Sequence, residues 1–410
     1  MVNPSPEVCK RVVSFLNPYA TRDLKALCLV SKAFERAARP VLFRQVILTD
    51  FPQVIAIGQC IRENPELGKM ILEFRVMGRH QLRFSPEQRV ELYALHYWNA
   101  IADVLARVPN LNALIIYDPL IESLPPLRIS QEEAYPFQLE RCGVKLWWND
   151  AFLEFLVTQH RLVTLQLYEP YDERDNFEIP ANCWPNLTNF SGTLVSALEI
   201  AEGAAPNVRH MCMRLDDATS PTIAYCMPQL ASLRKTLRSL KLAGLEPGDV
   251  ENTLAAIARN FPDLQYIGAL PLPVLDRTAF LSSLTAFPDL RHLQVDLTRW
   301  RPQPHAQHAL RAIVTQLKAF APSLRMVTLW VPQGKWMYHI RDGEWEGAPD
   351  GTQSIWQCNS WMEQVSLEYL PKGRLYNTYT ENDSKKSYYD VVGPEHQDRV
   401  RPKDSMKDNI

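Results

Sequence analysis

The sequence predicts an α/β fold in which a small helical module precedes a long parallel sheet built from stacked strand and helix turns. Three observations support this prediction. A phrase of proline, turn residue and apolar residue recurs six times along the chain. The apolar spacing of a short buried strand, L-x-x-L-x-L or close to it, follows each copy. Segments with a helical period of apolar residues separate the copies, so strands and helices alternate.

The repeated phrase marks where each turn of the stack begins. It occurs at Pro109-Asn110-Leu111, Pro185-Asn186-Leu187, Pro206-Asn207-Val208, Pro262-Asp263-Leu264, Pro288-Asp289-Leu290 and Pro322-Ser323-Leu324. Leu162 and Leu237 begin copies that lack the proline, and Ile71 and Met362 begin an earlier and a later copy. From Leu162 to Leu324 the copies start 21 to 34 residues apart. This period predicts a curved solenoid in which each turn stacks on its neighbours.

Within each turn, the proline ends a helix, Asn or Asp turns the chain, and the next residues form a short parallel strand. Helix-start signals stand at Ser85, Pro247 and Pro304. The leading apolar residue and those three and five places later are expected to point into the core. The residues two and four places after it are expected to face solvent on the concave side.

The first 48 residues predict three short helices in place of a repeat. Ser5-Pro6-Glu7 combines a capping serine with a proline in the first helical turn. Thr21 starts a second helix, and Ser31 caps a third helix that is expected to end at Pro40. Because about 45 residues bury too little surface to fold alone, their apolar face should pack on the first solenoid turn or bind another protein.

The repeats, over roughly residues 65–370, resemble the leucine-rich repeat family. The resemblance implies a parallel sheet on the concave side and helices on the convex side. The family usually carries Asn or Cys three residues beyond the last strand leucine, where the side chain ties the turns together. Here those places hold Pro119, Pro170, Asp216, Leu245, Thr298 and Pro332. We therefore expect an irregular solenoid without the usual side-chain ladder.

The N-terminal residues carry a second resemblance. They look like an F-box, the module that docks a substrate receptor onto an SCF-type cullin-RING ubiquitin ligase. The matching positions are Pro6-Glu7-Val8, Val12, Leu16, Asp23-Leu24, Leu27, Val30-Ser31, Phe34, Ala38 and Leu42-Phe43. One departure is Ser5, which stands where a leucine usually precedes the proline. An F-box followed by degenerate repeats is similar to fungal F-box substrate receptors.

The resemblance implies a non-catalytic receptor with three parts. An F-box-like module spans 1–48, a degenerate leucine-rich repeat solenoid with a C-terminal cap spans 49–370, and a mostly flexible charged tail spans 371–410. The module would bind a Skp-type adaptor, and through it a cullin-RING ligase, while the repeats bind a protein substrate. The implied adaptor-facing residues or their immediate supports are Pro6, Val8, Leu24, Leu27, Val30, Ser31 and Leu42.

A scaffold without any link to ubiquitination is the alternative. In that case the helices only cap the solenoid, and they should bury Leu24 and Leu27 against repeat residues such as Ile71 and Phe74. Under either hypothesis the repeats would bind a protein, and aromatic residues and arginine are enriched at such interfaces. The candidate substrate-binding residues on and just beyond the strands are Tyr117, Tyr168, His210, Arg214, Tyr266, His292, Asp296 and Trp330.

Composition and motifs argue against other classes of protein. A net charge of −2 provides no basic surface for nucleic acid, and no apolar run is long enough to cross a membrane. The chain carries no G-x-S-x-G, G-x-G-x-x-G, phosphate-binding loop or H-E-x-x-H. We therefore expect no catalytic residues, cofactor or metal. Eight scattered cysteines without a C-x-x-C pair favour a reducing compartment, cytoplasmic or nuclear.

The C-terminal part of the repeats predicts a small cap. Trp336, Tyr338 and Ile340 alternate with less apolar residues, and Asp342-Gly343 supplies a two-residue turn before Trp345. This pattern predicts a β-hairpin that shields the last turn of the stack.

Overall fold

The computed structural model describes residues 4–16, 20–77, 90–117, 135–145, 150–168, 178–215, 218, 220–275, 277–304, 306–332, 334–341 and 344–350. In these ranges, three N-terminal helices precede a 13-stranded sheet whose strands lie side by side in chain order. Strands β1 to β11 run parallel, and β12 and β13 add to the end of the sheet as an antiparallel pair. The α/β class and the alternation of strands and helices are confirmed.

The helices and strands have the following bounds. The helices are α1 (Pro6–Phe15), α2 (Thr21–Val30), α3 (Lys32–Leu42), α4 (Phe51–Glu63), α5 (Pro65–Met70), α6 (Val90–Leu105), α7 (Asp150–Val157), α8 (Leu194–Glu199), α9 (Ser220–Cys226), α10 (Val250–Asn260), α11 (Arg277–Leu284) and α12 (Gln307–Phe320). The strands are β1 (Gln45–Leu48), β2 (Glu73–Met77), β3 (Ala113–Tyr117), β4 (Arg141–Val144), β5 (Thr164–Leu167), β6 (Asn189–Thr193), β7 (His210–Arg214), β8 (Ser239–Ala243), β9 (Tyr266–Pro271), β10 (His292–Asp296), β11 (Met326–Val331), β12 (Gly334–Arg341) and β13 (Glu344–Asp350).

Helices α1 to α3 begin where the sequence signals predict. The Ser5 hydroxyl accepts a hydrogen bond from the backbone N–H of Val8, and the Ser31 hydroxyl accepts one from the N–H of Phe34. The predicted end of α3 at Pro40 is wrong, because the helix continues to Leu42. Pro40 has no N–H to donate, but the N–H of Phe43 donates to the Arg39 carbonyl and closes the last turn. The side chains of Val41 and Leu42 in this turn pack against the other two helices.

The three helices have an apolar core of their own, which we call the module core. Val13, Leu24 and Ala38 are its fully buried members, and the side chains of Leu27 and Leu42 pack against it. A second, continuous apolar core lies between the long sheet and its helices, and we call it the sheet core. The protein therefore buries its apolar residues in two separate places.

The backbone joins successive turns in a regular way. The carbonyl of Leu72 accepts hydrogen bonds from two consecutive N–H groups of the next turn, those of Asn112 and Ala113, at 2.9 and 3.1 Å. The carbonyl of Asn112 in turn accepts from Glu140 and Arg141 at 2.8 and 3.0 Å. The same arrangement repeats at each step from β1 to β11. It fixes where each strand begins relative to the strand before it.

Side chains of the repeated phrase reinforce these joints. The amide nitrogens of Asn110 and Asn207 donate to the carbonyl oxygens of Lys69 and Pro185, each in the preceding turn, at 2.8 Å. Asn186 makes the equivalent bond over 3.1 Å. The turn residue of the phrase thus ties adjacent turns together. Asp cannot donate such a bond, so the copies that carry Asp use backbone bonds alone at this place.

Not every element follows from the sequence patterns above. Strand β4 has no proline phrase, and its apolar positions Leu139, Cys142 and Val144 keep the spacing with less typical residues. Helix α4 has no predicted counterpart either. The Asp50 carboxylate caps it by accepting a hydrogen bond from the N–H of Gln53 at 3.0 Å. The predicted hairpin is confirmed, since Arg341 pairs with Glu344 across a two-residue connection.

Several predictions fall outside the described residues. They are the helix start at Ser85, the repeat that begins at Met362, and the tail at 371–410.

A glycine in α5 tests how closely the turns pack. A Cβ atom on Gly68 would lie 2.2 Å from the backbone oxygen of Arg107. Helix propensity alone predicts that Gly68→Ala stabilises the protein by about 1 kcal/mol. We expect the overlap to reverse the sign and to lower the free energy of unfolding by about 1–3 kcal/mol in urea unfolding.

Gly248→Ala is the matched control, because open space surrounds the added methyl group there. We expect its free energy of unfolding to stay within about 0.5 kcal/mol of the unsubstituted chain. Equal effects of the two substitutions would contradict the close approach at Gly68.

Candidate functional site

The structure divides the predicted adaptor-facing residues into buried supports and exposed positions. Leu24 is fully buried in the module core, while Leu27 and Leu42 are half-buried against it. Ser31 is half-buried and caps α3. The residues that remain exposed are Pro6, Val8 and Val30.

Two strongly exposed apolar residues of this module were not among the candidates. The side chain of Phe15 at the end of α1 is 79% exposed, and that of Leu29 near the end of α2 is 89% exposed. Val8, Val12 and Phe15 follow one another at helical spacing and form an exposed apolar stripe along α1. We call this stripe, with Leu29 and Val30, the exposed apolar set.

The sequence contained a signal for this set. Helix α1 carries two interleaved apolar series, Val8/Val12/Phe15 and Cys9/Val13/Leu16, each with spacings of four and three residues. The structure buries Cys9 and Val13 and exposes the first series. Periodicity alone cannot tell which of two such series faces the core.

The second candidate region is the face of the long sheet opposite the sheet core, which we call the second face. Residues two places after a leading apolar residue form one row across the sheet, because consecutive strands pair His210, Ser239, Tyr266, His292 and Met326. The predicted exposure is wrong for the first four of them, which are buried. Strands only about 4.8 Å apart let their polar and aromatic side chains cover one another.

Six of the eight candidate substrate-binding residues fall into two groups on this face. In the first group, the rings of Tyr117 and Tyr168 meet edge to face with centroids 5.4 Å apart, and the Tyr168 ring lies against Gly143 of the strand between them. The Tyr168 hydroxyl donates to the Gln166 side-chain oxygen at 2.9 Å. The guanidinium of Arg214 donates to the backbone oxygen of Tyr168. These side chains are half-buried and form a continuous polar and aromatic surface.

The second group lies on β9, β10 and β11, and we call it the buried polar cluster. It consists of Tyr266, His292, Gln294, Thr328 and Trp330, each with at most 3% of its surface exposed. The Tyr266 hydroxyl donates to the Gln294 side-chain oxygen at 2.8 Å, and His292 Nε2 lies 2.9 Å from the Thr328 hydroxyl. The rings of Tyr266 and His292 meet edge to face at 4.8 Å. Of the eight candidates, three belong to this cluster: Tyr266, His292 and Trp330.

An irregularity in β9 makes room for the cluster. The register between β9 and β10 shifts by one residue, and Ala269 at this bulge has a φ of 61°, which L-residues rarely adopt. The preceding Gly268 lies under the Tyr266 ring, where a Cβ would come within 2.3 Å of the hydroxyl. The bulge and the glycine together allow Tyr266 to lie across the sheet and reach Gln294.

Two lysines lie on strands next to the buried polar cluster. The Lys335 ammonium lies 5.9 Å from the centroid of the Trp330 ring, and Lys241 on β8 is 1% exposed. Burial, and secondarily the Lys335 charge, lowers the pKa of His292 to about 3, so its imidazole is neutral at pH 7. Burial also raises the pKa of the Cys212 thiol, against the opposing effect of Lys241. The carboxylate of Asp296 turns to its own loop, where it accepts from the Thr298 N–H at 2.7 Å.

In the described ranges, no three His, Cys, Asp or Glu side chains are grouped as a metal site. None of the helices described there is both long and apolar enough for a membrane span. No known family model matches the chain, and no curated protein is significantly similar to it.

The neutral, buried His292 predicts a dependence of stability on pH. Its folded pKa of about 3 lies below its ordinary value of 6.5, so between these pH values the unfolded chain binds a proton that the folded chain does not. This difference lowers the free energy of unfolding by about 1.4 kcal/mol per pH unit as the pH falls below 6.5. We expect His292→Gln to flatten this part of the stability curve in urea titrations between pH 4 and 7.

His308→Gln, on the exposed side of α12, is the matched control. A curve for His292→Gln that falls as steeply as those of the control and the unsubstituted chain would contradict the buried neutral state.

Proposed function

We propose that this protein is a non-catalytic substrate receptor of an SCF-type cullin-RING ubiquitin ligase. Helices α1 to α3 serve as an F-box that binds a Skp-type adaptor. The parallel sheet serves as a degenerate leucine-rich repeat solenoid whose concave side binds a protein substrate. The observation that carries the proposal is a three-helix module with its own core and large apolar side chains left exposed.

The energetics of the exposed apolar set are adequate for docking. Fully burying a Val, Leu or Phe side chain contributes about 1.5–3 kcal/mol, and Phe15 and Leu29 have nearly all of their surface left to bury. Burying these two side chains together with Val8 and Val30 would release enough free energy to offset the entropic cost of association. Exposed side chains of this size are typical of an interface and atypical of a solvated helix surface.

The position of Leu24 favours the receptor over a scaffold with capping helices. A capping role requires Leu24 and Leu27 to pack on repeat residues such as Ile71 and Phe74. Leu24 instead packs with Val13 and Ala38, whereas Ile71 and Phe74 belong to the sheet core. A module with a separate core is suited to engage an outside partner.

Such a receptor needs no reacting group of its own. By holding a substrate and an adaptor on one chain, it raises the effective concentration of the substrate near the ubiquitin-charged enzyme and fixes its orientation. The regular joints between turns support this role, because they fix the register of the strands that form the proposed substrate-binding surface.

The experiment substitutes the two most exposed apolar residues of the module. We expect the double variant Phe15→Asp, Leu29→Asp to bind a purified Skp-type adaptor at least about a hundredfold more weakly than the unsubstituted chain, because two large apolar contacts become charged. Its circular dichroism and thermal midpoint should be unchanged, since neither side chain belongs to a core. Binding is measured by calorimetry and by co-purification.

The double variant Val274→Asp, Leu275→Asp is the matched control, because both residues are exposed apolar positions far along the sheet. It should bind the adaptor normally. Equal adaptor binding by both double variants, or no binding by the unsubstituted chain, would refute the proposal.

A further inference from the structure

Three nitrogen atoms of the buried polar cluster have no hydrogen-bond partner in the described part of the chain: Gln294 Nε2, Trp330 Nε1 and His292 Nδ1. The Gln294 oxygen is already bound by Tyr266, so its amide offers only donors, and an indole N–H can only donate. Native proteins pair nearly all buried donors with protein, water or ligand atoms. Two of these side chains therefore offer N–H groups to an acceptor.

The electrostatic setting favours a negatively charged acceptor. The Lys335 ammonium lies over the Trp330 ring, and Lys241 contributes a second buried cation on the same face. On β9 to β11 the one carboxylate is that of Asp296, which accepts from the Thr298 N–H, and Asp350 on β13 stands opposite Lys335. Positive potential in a buried place strengthens hydrogen bonds from neutral donors to an anion.

The cluster also has the features of a built site. Ala269 adopts a strained backbone conformation, and a Cβ on Gly268 would overlap the Tyr266 ring, which lies against Gln294. Backbone strain of this kind concentrates at sites that bind ligands. The sheet core does not need the arrangement, because these side chains lie on the opposite face.

We propose that the second face at β9 to β11 binds an oxyanion, a carboxylate or phosphate group, through N–H donors of Gln294 and Trp330. Lys335 and Lys241 supply the positive potential. The site does not depend on the ubiquitin-ligase role, because it is defined by its own donors and charges. A protein segment bearing an acidic or phosphorylated side chain and a free anion share this chemistry.

The test measures thermal unfolding of the full chain in inorganic phosphate, in acetate and in chloride at equal ionic strength. An anion that binds only the folded state raises the midpoint temperature of unfolding, and the rise increases with the anion concentration. We expect Gln294→Leu and Trp330→Phe each to weaken the binding derived from this shift by at least about tenfold, since each removes one donor to a charged group. The larger shift, in phosphate or in acetate, identifies the group bound.

Trp98→Phe is the matched control, because the Trp98 indole N–H is also buried without a hydrogen-bond partner but belongs to α6. Phosphate stabilises many proteins by exclusion from their surface, so the decisive quantity is the difference between variants. Trp98→Phe should keep the full shift. Identical shifts in Gln294→Leu and the unsubstituted chain, or no shift beyond chloride, would overturn the proposal and assign the donors to ordered water.

Discussion

The whole sheet depends on one backbone arrangement, in which a carbonyl at the start of each turn accepts hydrogen bonds from two consecutive N–H groups of the next turn. This joint sets the register of each parallel strand, and through it the rows of side chains on both faces. The apolar row then packs under the helices, and the polar row meets on the second face. Asparagines of the repeated phrase strengthen several joints. The unequal lengths of the repeats are tolerated because the joint involves only their first residues.

The N-terminal helices stand outside this arrangement. Their core is formed by Val13, Leu24 and Ala38 and shares no residue with the sheet core. Contact with the stack begins at Phe43, which packs on the sheet core, and at Arg44, whose carbonyl makes the first joint. A substitution that disturbs the module core should therefore leave the joints of the stack unaffected. This separation lets the two parts of the chain have independent stabilities.

The sequence predicted the strands well wherever leucine spacing and the proline phrase coincide, as at Leu290 and Leu324. It missed β4, because Cys142 and Val144 replace the expected leucines, and it ended α3 too early at Pro40. These errors share a cause, since tertiary packing overrides local preference in both places.

Burial on the second face was beyond sequence reasoning for a different reason. Whether His292 is exposed depends on the rings and hydroxyls of strands 26 and more residues away, such as those of Tyr266 and Thr328. The bulge at Ala269 that brings these side chains together has no signature in the apolar spacing. The repeat predicts which residues share a row, but the contacts within the cluster depend on side chains far apart in the sequence.

The hairpin at the end of the sheet has a consequence for the behaviour of the protein at high concentration. A stack of parallel strands invites further strands from other molecules, and growth of that kind leads to fibres. Here β12 reverses direction, and β13 carries Pro349, which has no N–H to donate, together with the acidic Glu344, Glu346 and Asp350. A strand approaching β13 would meet an interrupted row of donors. Within the described residues, this edge is therefore a poor template for a further strand.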